Sequence, residues 1–362
     1  MHKTPLHQEH LNLGARMTDF AGWDMPLSYA GIVEEVATVR TRAGIFDLSH
    51  MGEIFVSGPA ALDFIQQVTT NDASQLKVGA AQYTLFCNES GGVVDDLVVY
   101  RTGDEEYLLV VNASNTEKDY NWMQKFNSHN ATLRNTSQET ALIAIQGPES
   151  LAMLQPLVDG VELQTMPRFH IARCKVSGME CLVATTGYTG EAGAEILCKN
   201  ADAVSIWNAV MEAGKSVDAK PVGLGARDVL RLEAGYPLYG HELDDSTTPV
   251  EAKLMWVVKP EKGNFTGREK ILKNKEEGPS RILAGLAAEE RCIPRQGCKL
   301  VDGQKEIGVV TSGTFSPTIK KGIALAYIHP EYRAANTPVG IQIRDKICKF
   351  KVVKTPFVKT AM

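Results

Sequence analysis

Apolar positions along this chain recur with two different periods. Ile32, Val33, Val36 and Val39 repeat at helical spacing and stop at Ala43-Gly44, which predicts an amphipathic, core-facing helix ended by glycine. Two later segments share one design. Ile54-Phe55-Val56-Ser57-Gly58-Pro59 runs into residues 60–68, and Ile143-Ala144-Ile145-Gln146-Gly147-Pro148 runs into residues 149–157. Each reads as a strand, a Gly-Pro and a helix, because proline suits the first helical turn, where its missing N–H is not needed. More strand-like runs follow each, at 82–87 and 96–100 after the first and at 174–176 and 181–184 after the second. This repetition predicts two related α+β lobes built from antiparallel strands with helices.

Between the lobes, Ser114-Asn115-Thr116-Glu117 has capping-box spacing and predicts a helix carrying Trp122, Met123 and Phe126 toward the core. A helix around residues 206–211 ends at Gly214, and another runs from Leu224 to Gly235. From 259 to 280 the composition turns charged and Gly/Pro-rich, reading as a linker around a short solvated helix at 268–275. Only short strands follow, near 281–286, 307–311, 323–327, 339–343 and 350–353, which predicts a β-barrel of about 80 residues.

Composition narrows the classes. With 362 residues, 44% hydrophobic and 22% charged, the chain has room for two or three domains with real cores. Its 43 acids against 38 bases argue against general nucleic-acid binding. Met1-His2-Lys3-Thr4-Pro5-Leu6 has no apolar signal region and no later run is long enough to span a bilayer, so the expectation is a cytoplasmic protein with no membrane contact. Seven cysteines, an odd count without a Cys-x-x-Cys pair, read as reduced and mostly buried thiols, with no metal site expected.

Candidate chemistry is concentrated in three places. Gly91-Gly92-Val93-Val94-Asp95-Asp96-Leu97-Val98-Val99-Tyr100 sets two adjacent carboxylates in an otherwise apolar strand. Successive side chains point to opposite faces, so only one of them can look into a given cleft. Two readings stand: the pair ends the Gly-Gly turn, or one acid faces a reaction site. Thr186-Gly187-Tyr188-Thr189-Gly190-Glu191-Ala192-Gly193-Ala194-Glu195 has glycines that let the backbone approach a ligand closely. Its carboxylates disfavour phosphate and suit a nitrogen-rich ring, and Glu195 can accept two parallel N–H bonds from an amino-pyrimidine edge. Gly223-Leu224-Gly225-Ala226-Arg227-Asp228 fails as a dinucleotide loop, since Asp228 occupies the third glycine position. Arg227 remains, in a first helical turn where a cation calls for a compensating partner. His50 and His241 are the only histidines near these segments and form no Ser-His-Asp order.

Taken in order, Phe46-Asp47-Leu48-Ser49-His50-Met51-Gly52, the stretches 91–97, 186–195 and 223–235, and Thr311-Ser312-Gly313-Thr314-Phe315-Ser316-Pro317 resemble the T-protein family of the glycine cleavage system, tetrahydrofolate-dependent aminomethyltransferases. The resemblance implies a three-domain cloverleaf around a central folate-binding hole. It divides the chain into a first lobe at 1–50 plus 140–235, a second at 51–139 plus 236–278, and a barrel at 279–362. It also implies transfer of a one-carbon unit from the aminomethyl-dihydrolipoyl arm of a lipoylated H-protein to tetrahydrofolate, with ammonia released. The family's essential aspartate falls on Asp96, beside N10 of the folate. Pterin contacts fall on Glu195 and Arg227, and Met51, Tyr83, Asn112 and Tyr188 match positions lining the folate. The C-terminus departs from the family pattern: some relatives place Tyr or Arg there, whereas this chain ends in Met362, leaving Arg295 as a candidate for the benzoyl-glutamate tail. Two other readings share the resemblance: a folate-dependent demethylase of a small methylated metabolite, and a non-catalytic iron–sulfur assembly factor. The latter's Cys-containing motif is absent here.

Overall fold

In a computed structural model, residues 1–360 are described; Ala361 and Met362, and with them the expectation placed on Met362, lie outside the described residues. Among the described residues, no helix is long and apolar enough to cross a membrane. Two antiparallel-rich sheets face each other. One has seven strands in the order Val158–Asp159, Ile171–Val176, Met179–Ala184, Gly193–Lys199, Thr140–Gln146, Gly44–Asp47 and Lys220–Pro221, and only the last pair is parallel. The other has five strands in the order Ala81–Cys87, Val93–Gly103, Glu106–Val111, Gly52–Ser57 and Thr132–Asn135.

Period-two alternation assigns each residue to a face. On the seven-stranded sheet, Ile45, Ile143 and Ile145 point into a core closed by Leu154, Trp207 and Val210. Their neighbours Phe46, Leu142 and Ala144 point the other way and share one apolar cluster with Tyr100, Leu108 and Val98 of the five-stranded sheet. That cluster is the layer between the sheets. Behind the five-stranded sheet, Leu97, Val99 and Leu109 pack on the helices Ala61–Val68 and Thr116–Phe126.

The two strand-to-helix devices are built alike. Gly58 and Gly147 both have positive φ, 96° and 134°, and each carbonyl accepts the first N–H of the following helix, from Ala61 at 2.9 Å and Ser150 at 3.1 Å. The prolines stand just ahead of the helices Ala61–Val68 and Ser150–Leu154, in the lead-in turn and not in the first helical turn as expected. At Gly147 an added Cβ would lie 2.3 Å from the Arg42 carbonyl, so this position requires glycine for space as well as conformation.

The C-terminal strands form a closed barrel in the order Ile282–Ala288, Lys321–Ile328, Lys305–Ser316, Lys299–Asp302, Pro338–Ile343 and Lys346–Val353. The α+β class with a terminal barrel thus stands. The cysteine expectation needs correction: Cys292 and Cys348 are disulfide-bonded across 56 positions of the barrel segment, while Cys87, Cys174, Cys181 and Cys198 are buried free thiols. The capping box also fails, because Ser114 lies inside a 3₁₀ turn, Ala113–Asn115; the helix N-cap is Asn115, whose amide donates to Asp95 and not to the helix.

Helix Leu224–Glu233 joins the barrel to the sheets. Arg231, essentially unexposed, holds Glu242 at 3.0 Å, Asp228 at 2.7 Å and the barrel's Ser312 at 2.7 Å. Arg40 spans Glu191 and Glu233, both at 2.8 Å. Arg40–Glu191, Arg40–Glu233 and Arg231–Glu242 are buried pairs in which each charge meets an opposite one, the condition under which charges are tolerated inside a protein.

Candidate active site

Strand Val93–Gly103 places Asp95 and Asp96 on opposite faces. Asp95 is fully buried and accepts from Asn112 N at 3.1 Å, Asn112 Nδ2 at 2.9 Å and Asn115 Nδ2 at 2.6 Å. Asp96 shares its face with Val98 and Tyr100, on the side of the layer between the sheets. Its Oδ1 accepts from Asn112 Nδ2 at 2.9 Å and its Oδ2 from the Tyr83 hydroxyl at 2.9 Å. One asparagine amide therefore grips both acids, and the pair does not merely end a turn. Burial, and then the charge of Asp95, push the Asp96 carboxyl up from 3.8 to about 7, against the opposing hydrogen bonds from Tyr83 and Asn112.

Glu195 approaches from the opposite sheet, on strand Gly193–Lys199. The Thr186 hydroxyl donates to its Oε2, and Tyr100, four residues beyond Asp96, meets the same Thr186 oxygen at 2.9 Å. This Tyr100–Thr186–Glu195 link is a polar bridge between the sheets. Burial raises the Glu195 carboxyl above its ordinary range, offset by the Thr186 hydrogen bond and the Arg227 charge.

Tyr188 is within reach of the charges of Asp96 and Arg227. Its hydroxyl donates to the Pro237 carbonyl, its ring stacks on Tyr236 at 5.7 Å, and the Arg227 guanidinium sits 4.8 Å from its ring centroid. The charge of Asp96 reaches both Tyr83 and Tyr188, which puts all three in one neighbourhood. Arg227 makes no hydrogen bond to any described residue, although burial lowers its proton affinity. A largely desolvated guanidinium whose donors meet no described acceptor is open to an acceptor brought by a ligand. Met51 is half-buried at the edge of the inter-sheet cluster.

The structure thus brings Asp96, Tyr83, Asn112, Tyr188, Glu195, Arg227 and Met51 around the inter-sheet layer. Arg295 is apart in character, an exposed side chain donating to the Gly313 carbonyl of the barrel. Sequence reasoning missed Trp256, 61% exposed and stacked on Tyr83 at 5.8 Å, because nothing in the Lys-rich stretch around it signals a contact so far back along the chain. Tyr100 was findable from its i+4 spacing to Asp96 on one strand face. The C-terminal segment also arrives here: the Phe357 and Val358 N–H groups donate to the Glu233 carbonyl, and a Cβ on Gly190 would touch Thr360.

Comparison with known proteins bears on the family and the fold. The family model described as GCVT N-terminal domain matches residues 6–262, and that of the glycine cleavage T-protein C-terminal barrel domain matches residues 281–359. The aminomethyltransferase of Symbiobacterium thermophilum is 48% identical, with 99% of this chain and 97% of that protein covered. That of Pseudothermotoga lettingae is 45% identical, over 99% and 98%. Among solved structures, the glycine cleavage system aminomethyltransferase T of Bartonella henselae superposes with a TM-score of 0.93 at 34% identity, covering 99% of this chain and 98% of that one.

Proposed function

Since the chain belongs to the glycine cleavage T-protein family and is a tetrahydrofolate-dependent aminomethyltransferase, we propose that its reaction is centred on Asp96 in the layer between the two sheets. The observation that carries this reading is the pairing of a carboxyl poised at about 7 with a buried guanidinium that bonds to no described residue and with a second carboxyl, all facing one layer. These residues fit a reduced folate. Glu195 keeps one oxygen free of Thr186 to accept the amino-pyrimidine edge, and Arg227, which bonds to no described residue, can donate to a ring oxygen or nitrogen. Met51, Tyr83, Asn112 and Tyr188 line the approach.

When bound, the folate supplies the two nitrogens that receive the one-carbon unit. The work of the protein is at Asp96. Its ionised carboxylate takes the proton that the bridging nitrogen loses, and a proton affinity close to neutral lets it release that proton again afterwards. Tyr83 and Asn112 hold its two oxygens, so the acceptor is fixed before substrate arrives. The same negative charge stabilises an iminium as it forms.

The donor in this proposal is the aminomethyl-dihydrolipoyl arm of a lipoylated H-protein. We also take the chain to divide into a lobe at 1–50 plus 140–235, a lobe at 51–139 plus 236–278 and a barrel at 279–362, a division supported by the separate sheets and cores. The decisive assay is ammonia release from aminomethylated H-protein with and without tetrahydrofolate, for wild type and Asp96→Asn. Turnover should fall by about two or more orders of magnitude while folate binding persists. An Asn variant that turns over normally removes Asp96 from the mechanism.

A further inference from the structure

Asp119 has no part in the chemistry proposed so far, yet it is a completely buried acid beside the reaction centre. It lies on helix Thr116–Phe126, one turn after Asn115, whose amide binds Asp95. Both Asp119 carboxyl oxygens are sealed from solvent, and no described residue donates to either. The neighbouring ammonium is engaged elsewhere: Lys118 Nζ donates to the Val94 carbonyl at 2.6 Å and to the Tyr239 hydroxyl at 2.8 Å. What Asp119 does reach is Asp95, whose charge and side chain both act on it.

Two neighbouring buried carboxylates, neither of them ion-paired to a cation among the described residues, cannot both be ionised. Which one keeps the charge follows from the donors. Asp95 receives three N–H groups and Asp119 none. The proton therefore sits on Asp119 and is donated to Asp95, which satisfies an acid that otherwise has no partner among the described residues. Burial first, and then the Asp95 charge, raise the Asp119 carboxyl far above its ordinary range, in agreement with this assignment.

We infer that Asp95 and Asp119 share one proton, and that this singly charged pair, acting through the Asn112 amide it holds in common with Asp96, positions the catalytic carboxylate. The inference rests on the reading of Asp96 as the reacting group. A pair with one charge keeps Asp96 near neutrality. A second charge on Asp119 would hold Asp96 protonated at neutral pH, and an uncharged pair would let its proton affinity fall toward that of an ordinary acid. The titratable and charged groups facing this unit are Asp95, Asp96 and Tyr83 on the sheet, Tyr188 on the glycine-rich loop, Lys118 and Asp119 on the helix, and Tyr239 beyond it. Asp119 touches no substrate in this scheme and is a positioning residue.

The test combines a direct view of the proton with a pH profile. In [¹³C]aspartate-labelled wild type at about pH 9, where Asp96 is ionised, infrared spectroscopy should show the carbonyl stretch of a protonated aspartic acid, and Asp119→Asn should lose it. Only ionised aspartates in the wild type would overturn the inference, with no substitution needed. In steady-state assays, Asp119→Asn keeps an N–H donor toward Asp95 and should leave the acid limb of kcat/KM for tetrahydrofolate in place. Asp119→Leu, which keeps no donor, should lower kcat, while Asp95→Asn should move the limb down by about one pH unit or more. A downward move for Asp119→Asn as large as that for Asp95→Asn, or equal kcat for the Asn and Leu variants, refutes the pairing. Failure of the Asp96 reading is distinguishable: Asp96→Asn would then stay active while the infrared band remained.

Discussion

Asp96→Asn should stabilise the protein at alkaline pH even as it abolishes turnover. Burial and the charge of Asp95 raise this carboxyl from 3.8 to about 7 in the folded protein. A folded-state value above the unfolded one makes a contribution to stability that is complete below the ordinary carboxylate range and is lost as pH rises through about 7. At about 1.4 kcal/mol per tenfold change in proton affinity, holding Asp96 ionised at pH 8 costs up to about 4 kcal/mol. The amide of an Asn escapes that cost. It keeps the Tyr83 hydrogen bond through its carbonyl oxygen, but turns its NH₂ toward the Asn112 amide, forfeiting one hydrogen bond worth about 1 kcal/mol. Partial solvent access to Asp96 trims the gain further, leaving about 1–3 kcal/mol at pH 8. At about pH 5 the wild-type carboxyl is already protonated when folded, so the advantage of the variant should shrink by about 2 kcal/mol. Urea unfolding of both proteins at the two pH values, followed by fluorescence, measures the difference. A variant less stable than wild type at pH 8, or a gap that does not change with pH, refutes the reasoning.

Three further outcomes follow from the same geometry. Tyr83→Phe removes a donor that favours ionised Asp96, so the acid limb of the kcat/KM profile should move to higher pH by about half a unit to one unit; a shift to lower pH contradicts the assignment. Glu195→Gln should raise KM for tetrahydrofolate about 10- to 100-fold, the loss of a charged hydrogen bond, with kcat at saturation little changed; steady-state kinetics at fixed donor checks it. Arg231→Leu leaves Glu242 buried without its partner and should lower stability by about 3–5 kcal/mol, visible as a fall in Tm, because both groups of that pair are essentially unexposed.

The parts of the site that follow from local periodicity were legible in the sequence. Alternation alone required Asp95 and Asp96 to face opposite ways, and they do: Asp95 binds the Asn115 amide at the start of helix Thr116–Phe126, and Asp96 faces the inter-sheet layer. The Gly-Pro devices announced two strand-to-helix turns, although the helix-opening contact comes from the glycine carbonyls and not from the prolines. What was illegible depends on contacts between distant positions. The Tyr100–Thr186–Glu195 bridge joins residues 86 positions apart, and the Cys292–Cys348 pair spans 56. Neither has a local signature, since a disulfide partner or a hydroxyl contact is chosen by tertiary approach. The short barrel strand Lys299–Asp302 went unseen because four residues carry too little alternation to register. The capping-box expectation failed because Ser114 sits inside the 3₁₀ turn Ala113–Asn115 and the helix starts one residue later, with Asn115 at its N-cap giving its amide to Asp95.

The placement of Asp96 and Glu195 on facing sheets is the centre of this account, and a crystal structure with bound tetrahydrofolate tests it most directly. The account predicts the bridging nitrogen within hydrogen-bond distance of the Asp96 carboxyl and the amino-pyrimidine edge on Glu195, with Arg227 donating to the pterin. A folate bound away from the inter-sheet layer, or one held there with Asp96 turned from the bridging nitrogen, contradicts it.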